Sequence, residues 1–245
     1  MRETIFEATN LMNLMKLEPE LFKNIPLSQE IILSWFEACD AVWLHNGDPT
    51  KPHAELTSGM CSNGFFDCLR VLCHPNLNEI LAYELAKRMV KEGLADFERV
   101  DWVIGSPYAA ITFSYEVAKA LDATHMFCEK DPADPKGKKM LWKRLTIPES
   151  ATVLQIEELI TTSGTMQEVR RAIKEGNEYP VNFLPVVGTL AHRPPKLPVD
   201  YGEQQVVALV EKEIWAVPPE ECPLCKAGSV RYRPKTHWRE LTGKN

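Results

Sequence analysis

Long apolar runs are missing from this chain. No window of about 18 apolar residues occurs in it, so no membrane span is expected. The opening residues, M-R-E-T-I-F-E, lack the apolar core of a signal peptide. Positive charge is also scarce: 28 Lys and Arg face 34 Asp and Glu, a net charge of −6. That balance argues against a nucleic-acid binder, which usually carries basic patches. It does not exclude an anionic small ligand, because a few local donors outweigh a diffuse net charge. There is no internal repeat and no low-complexity tract, and the composition is that of an ordinary globular protein. Seven cysteines, an odd number with no secretory signal, imply reduced thiols and a cytoplasmic setting. The length of 245 residues allows one large α/β domain with appendages, or two small domains.

What is present is concentrated in Val153 to Thr165, read as V-L-Q-I-E-E-L-I-T-T-S-G-T. Val153 to Ile156 read as a short buried strand. Glu157 and Glu158 follow as a tandem acid pair, and then the hydroxyl-rich run Thr161, Thr162, Ser163, Gly164, Thr165. From Met166 to Lys174 the spacing predicts a helix, with Met166, Val169, Arg170 and Ile173 on one side. A helix start exposes unpaired N–H groups, and the helix dipole favours an anion there. Thr and Ser hydroxyls add donors, and Gly164 lets the backbone close tightly. The order describes a phosphate cradle, with two acids placed to grip vicinal hydroxyls of a sugar or to complement developing positive charge. The plainer alternative is a βα turn with a capping hydroxyl and surface glutamates. Tandem acids followed by T-T-x-G-T make a rarer coincidence than any one of these features.

The rest of the chain alternates in the same sense. Residues 1–50 read as a helical prefix, a packing or dimer element, with Ser28 as N-cap and Ile31, Ile32, Trp35, Phe36 and Val42 at helical spacing. Residues 53–75 read as a β-hairpin containing a strand-like run, F-F-D-C-L-R-V-L. A helix is predicted over Asn76 to Glu92, capped by Asn76 or Asn78 and stopped by Gly93. Val100 to Gly105 reads as a strand, followed by a turn of small residues from Ser106 to Ala110 and a helix from Ile111 to Leu121. Further strands are predicted at Thr124 to Cys128, Val181 to Leu190 and Val206 to Val210. Between them, Glu129 to Arg144 is a charged run that reads as a solvated hairpin or as a mobile lid. Near the end, Cys222-x-x-Cys225 has the spacing of half a Zn²⁺ site, with His237, Cys73 and His74 as candidates for the missing ligands.

V-L-Q-I-E-E-L-I-T-T-S-G-T resembles the 5-phosphoribosyl-1-pyrophosphate (PRPP) motif of type I phosphoribosyltransferases. The resemblance implies that Glu157 and Glu158 hold the ribose hydroxyls and that Thr161, Thr162, Ser163, Gly164 and Thr165 hold the 5′-phosphate. It implies a pyrophosphate loop at Ser106, Pro107 and Tyr108, bulkier than the family's usual glycine-rich form. Leu56-Thr57-Ser58-Gly59 and Phe65-Phe66-Asp67 are similar to the hood of orotate phosphoribosyltransferases, where Phe65 and Phe66 would stack on a flat base. Many members of that family carry Lys where this chain has Thr57. The charged run would be the family's lid, with Lys130, Lys136, Lys138 and Lys139 closing on pyrophosphate; Lys136-Gly137 stands where a His-Gly pair is usual. Arg193, just after a strand, would contact the base with its two-pronged donor.

The expectation is therefore an α/β fold: a central, mostly parallel sheet with helices on both faces, a helical segment over 1–52, a phosphoribosyltransferase-like domain with its hood over 53–215, and a Cys-containing extension over 216–245. The implied reaction moves 5-phosphoribosyl from PRPP to a nucleobase, orotate first among them, with Mg²⁺ on pyrophosphate and ribose oxygens. The enzyme would be a cytoplasmic homodimer of pyrimidine synthesis. The alternatives are transfer to another base and a PRPP-binding regulator without catalysis.

Overall fold

The computed structural model describes residues 10–94 and 99–244. Residues 1–9 of the expected prefix and residue 245 of the tail lie outside the described residues. The prefix folds around α1 (Gln29–Ala38), where the Ser28 hydroxyl accepts from the Ile31 N–H as an N-cap. Val42 does not continue that helix. Asp40 takes a left-handed φ of +51°, which ends it. Val42 then enters β1 (Val42–Leu44), which pairs antiparallel with β4 (Gly64–Phe66). Between them lies a hairpin, β2 (His53–Glu55) with β3 (Cys61–Ser62). The expected strand after Phe65 stops at Phe66, and Leu69–Leu72 forms a helical turn that buries Val71 and Leu72.

Helix α2 (Pro75–Glu92) starts on proline, whose missing N–H costs nothing at that position. Asn76 is not its cap. Its side-chain amide donates to the carbonyls of Leu14 and Leu17 at 2.8 and 3.1 Å and ties the prefix to the domain.

Five parallel strands make the central sheet. They are β5 (Trp102–Gly105), β6 (Thr124–Phe127), β9 (Thr152–Ile160), β10 (Asn182–His192) and β11 (Gln205–Glu211), in the spatial order β6-β5-β9-β10-β11. Counted along the chain this is 2-1-3-4-5, a doubly wound sheet. Helices α2 and α3 (Ile111–Leu121) pack together on one face over Val103, Leu154 and Ile156. Helix α4 (Gly164–Gly176) covers the other face, over Val153, together with the hairpin β7 (Glu129–Lys130) and β8 (Met140–Leu141). The expected α/β architecture with helices on both faces is the one observed. At the end of β5, a Cβ on Gly105 would stand 2.1 Å from the Ser114 hydroxyl of α3, so only glycine permits that close packing.

The acid pair lies inside β9 rather than after it. Strand β10 pairs along the whole stretch, Thr189 beside Glu157 and His192 beside Ile160, so the ladder continues through both glutamates.

A second, smaller sheet has the order β12-β3-β2-β13, with β12 (Ala216–Val217) and β13 (Arg231–Tyr232) supplied by the C-terminal segment. The chain then ends in α5 (Trp238–Thr242), where Trp238 meets the ring of Phe65 and lies beneath the Arg70 guanidinium. Among the described residues, no helix is long and apolar enough to cross a membrane.

Candidate active site

In a doubly wound sheet, a crevice opens where neighbouring strands send their connections in opposite directions. Here that point lies between β5, whose chain leaves towards β6, and β9, whose chain leaves towards β10. The carboxyl ends of these strands bring together segments 51 residues apart: the Ser106 hydroxyl donates to Glu157 Oε2 at 2.5 Å.

Because β9 is pleated, its two acids face opposite sides of the sheet. Glu157 is 1% exposed and also accepts from the Gln155 amide at 2.7 Å. Gln155 in turn accepts from Arg170 of α4, whose guanidinium also donates to the Leu184 carbonyl and lies over Phe183. The result is a buried polar chain, Arg170–Gln155–Glu157–Ser106, joining α4 to the loop after β5. Burial pushes the Glu157 carboxyl up to about 8, against the hydrogen bond from Ser106. Glu158 faces the other way, into the crevice, and burial raises its carboxyl as well.

The crevice holds a cavity of about 660 Å³, lined among others by Phe65, Asp67, Glu158, Thr161, Arg193 and Lys235. Phe65 presents itself to this space, whereas Phe66 is 4% exposed and packs edge-on against Phe36, with only its margin on the cavity. The Arg193 Nε is buried and has no hydrogen-bond partner among the described residues, and burial holds the guanidinium below its ordinary value. A buried cationic donor left unpaired is costly to the fold, so its presence in a cavity points to an absent acceptor. Of the turn after β5, Ser106 and Pro107 are buried, Tyr108 is 71% exposed, and Ala109 touches the cavity.

A second cavity, of about 410 Å³, adjoins the first through Thr162, which lines both. Its walls are Gly164 and Thr165 at the start of α4 and Lys130, Lys138 and Lys139 of the charged hairpin. Ser163 makes no side-chain cap to α4; its hydroxyl instead accepts from Gln167 at 2.9 Å, which leaves the first N–H groups of a 13-residue helix free for a ligand. An added Cβ on Gly164 would find nothing nearer than the Thr162 hydroxyl at 3.8 Å, so the space above the cradle is open. The hairpin is fastened to α4 by the Met140 N–H, which donates to Glu168. Its tip is organised by Asp134, which accepts from the backbone N–H groups of Lys136, Lys138 and Lys139. Lys136 sits at that exposed tip, away from the cavity lining.

The cysteines of the C-x-x-C pair have partners that the sequence reading did not select. His53, Cys61, Cys222 and Cys225 form a cluster able to chelate a metal, with all four ligand atoms within 4.8 Å of one another. His237, Cys73 and His74 are not in it: His237 stacks on Tyr232, Cys73 is exposed, and His74 is the N-cap of α2. Also unselected were Lys235, Gln155 and Arg170. Gln155 was the one legible signal, as a lone polar residue in a strand otherwise apolar up to the acids.

No family model matches this chain. It is 34% identical over 194 residues to the orotate phosphoribosyltransferase of Pelotomaculum thermopropionicum, covering 79% of this chain and 94% of that protein. It is 33% identical over 209 residues to the orotate phosphoribosyltransferase of Heliobacterium modesticaldum, covering 85% and 98%. Among solved structures, the UMP synthase of Leishmania donovani superposes with a TM-score of 0.50 at 18% identity, over 78% of this chain and 37% of the longer synthase, a likeness of fold alone.

Proposed function

Because the chain belongs to the type I phosphoribosyltransferase family, with orotate phosphoribosyltransferases as matching homologues, we propose that it transfers the 5-phosphoribosyl group of PRPP to orotate and releases pyrophosphate. Pentosyl transfer from PRPP to a base is the chemistry of the family; the choice of orotate rests on Arg193. Its half-buried guanidinium, with an Nε that has no partner among the described residues, shares a cavity with Phe65. An aromatic face beside a fixed cationic fork suits a flat base that carries a carboxylate.

In this reading the free N–H groups of α4 and the hydroxyls of Thr161, Thr162, Ser163 and Thr165 hold the 5′-phosphate. Glu158 accepts from the ribose hydroxyls. The bond from C1 to pyrophosphate breaks with both electrons leaving on the pyrophosphate, and positive charge spreads over C1 and the ring oxygen. The negative charge of Glu158 stands where that charge develops. A ring nitrogen of the base, stacked on Phe65, attacks C1, and its proton passes to solvent. The backbone of Ser106, Pro107 and Tyr108, with Lys130, Lys138 and Lys139, receives the pyrophosphate, and closing of the hairpin adds Lys136. Glu157 positions the Ser106 loop against α4 through its buried hydrogen bonds.

Glu158 and Asp67 offer hard carboxylate oxygens to the cavity, and among the described residues no cluster of three acids forms a cage there. This fits Mg²⁺, which keeps most of its waters and takes further ligands from substrate oxygens. Bound through Glu158, it would neutralise charge on the leaving pyrophosphate. A cytoplasmic location and pairing into a homodimer belong to the same reading.

The test offers orotate, uracil, adenine and hypoxanthine to purified protein with PRPP and Mg²⁺ and follows pyrophosphate. Orotate should support release, and uracil, which lacks the carboxylate, should be used about 100-fold less well or worse. Release with a purine instead would overturn orotate as the acceptor. Binding of PRPP without release for any base would make the protein a regulator.

A further inference from the structure

The His/Cys cluster has the dimensions of an occupied tetrahedral site. Zn–S bonds of about 2.3 Å and Zn–N bonds of about 2.0 Å place ligand atoms roughly 3.5–3.8 Å apart along the edges of a tetrahedron. Here Cys61 Sγ and Cys225 Sγ are 3.6 Å apart. His53 Nε2 lies 3.6 Å from Cys222 Sγ and 3.4 Å from Cys225 Sγ. The sulfur spacing is far beyond a disulfide bond, and all seven cysteines are free.

The histidine is already set for a metal. The Ser229 hydroxyl donates to the Lys51 carbonyl at 2.6 Å, so it accepts from His53 Nδ1 at 2.8 Å. With its proton on Nδ1, the ring turns the Nε2 lone pair towards the three sulfurs, the outer hydrogen bond typical of a ligating imidazole. His53, Cys61 and Cys222 are each 0% exposed, which closes the site as a structural site is closed. The Cys225 N–H points at Cys222 Sγ, as in a turn built to hold a thiolate.

What the cluster joins gives it a purpose. His53 and Cys61 belong to the β2–β3 hairpin, and Cys222 and Cys225 to the C-terminal segment. That segment reaches the hairpin through two ladders of only two residue pairs each, β12 on β3 and β13 on β2. Its apolar support around the cysteines is small, Leu224 with Trp215 and Val217, and beyond them Trp238 and Leu241 add a few further contacts. Ladders and a core of that size hold a chain segment only weakly, so a staple adds a large share of what orders it. Beyond the cluster the same segment carries Lys235 to the wall of the base cavity, beside Thr57, and Trp238 to Phe65.

We propose that His53, Cys61, Cys222 and Cys225 bind one structural Zn²⁺, which staples the C-terminal segment onto the β2–β3 hairpin and so holds Lys235 at the base cavity. Metal binding here is independent of the reaction. The role given to Lys235, as a second cation for an anionic base, rests on the reading of the cavity as the acceptor site.

Metal content of the purified full-length protein, measured by plasma mass spectrometry, should be one zinc per chain. Co²⁺-substituted protein should show the visible bands of a tetrahedral thiolate site. Cys222→Ser and Cys225→Ser should lose the metal, whereas Cys73→Ser, on an exposed cysteine outside the cluster, should keep it. Stripping zinc with a chelator should expose the segment after Val217 to limited proteolysis and raise the KM for the base. Lys235→Ala should raise that KM about tenfold with zinc still at one per chain. Protein purified with added zinc that holds less than about a tenth of an equivalent would overturn the site. Full metal content with an unchanged proteolysis pattern after stripping would overturn the staple. An unchanged KM in Lys235→Ala would overturn only the role of Lys235.

Discussion

Arg193→Met should lower kcat/KM for orotate by about 10²–10³-fold while the protein melts at a higher temperature than the parent. Both effects come from one group. In the free protein the guanidinium is half-buried, its buried Nε has no partner among the described residues, and burial opposes its charge. A buried polar group without a partner costs roughly 1–3 kcal/mol, so replacing it by an apolar side chain of similar length should return about 1 kcal/mol. For a chain of this size that corresponds to a rise of about 2–4 °C in Tm. In the proposed complex the same guanidinium meets the carboxylate of orotate, and losing a charge-assisted pair of hydrogen bonds costs about 3–4 kcal/mol, hence the kinetic loss. PRPP affinity should be unchanged, because the proposed complex puts Arg193 against the base and not against the 5′-phosphate. A lower Tm with unaltered kinetics would make Arg193 a packing residue.

The second large effect separates the two glutamates. Glu158→Gln keeps the shape and removes the charge proposed to face the ribose. It should lower kcat by about 10²–10³-fold, in keeping with the loss of a preorganised electrostatic contact, and leave the thermal midpoint at neutral pH equal or slightly raised. Glu157→Gln should act differently, because that carboxyl touches Ser106 and Gln155 rather than the cavity. Burial raises it from an ordinary 4.5 to about 8. An acid raised by folding stabilises the fold fully below its unfolded value, and that contribution is lost as pH climbs through the folded value. The parent should therefore lose stability, on the order of a few kcal/mol, between about pH 5 and pH 8. Glu157→Gln should flatten that slope while keeping more activity than Glu158→Gln. Equal loss of activity in both variants, with the same pH dependence of Tm as the parent, would contradict the division of roles.

The contrast shows what could be read before folding. The strand, the hydroxyl-rich turn and helix α4 were legible because each has a local cause: an apolar run, a glycine among hydroxyls, and a helical spacing of Met166, Val169 and Ile173. The sequence pattern from Ile111 to Leu121 matches the bounds of helix α3. The opposed directions of Glu157 and Glu158 were not legible, since they follow from β10 pairing through the acids, a contact that lies outside the motif. The metal cluster joins His53 to Cys225, 172 residues apart, and a half-site cannot name a partner at that distance. Lys235 is legible only as one charge of a basic tail expected over the active-site face; the pairing of β13 with β2, which brings that particular lysine to the cavity, is not. Lys136 lies in a charged run where any of four lysines fits the pattern, and the hairpin geometry, not the sequence, sets which of them face the cradle.

The most direct test is a crystal structure of this protein with PRPP and Mg²⁺. The 5′-phosphate should lie on the N–H groups of Gly164 and Thr165 with the hydroxyls of Thr161 and Thr162 around it, the ribose hydroxyls on Glu158, and the pyrophosphate beneath Lys130, Lys138 and Lys139. A ligand bound away from the β9–α4 turn, or a ribose turned from Glu158, would contradict this placement.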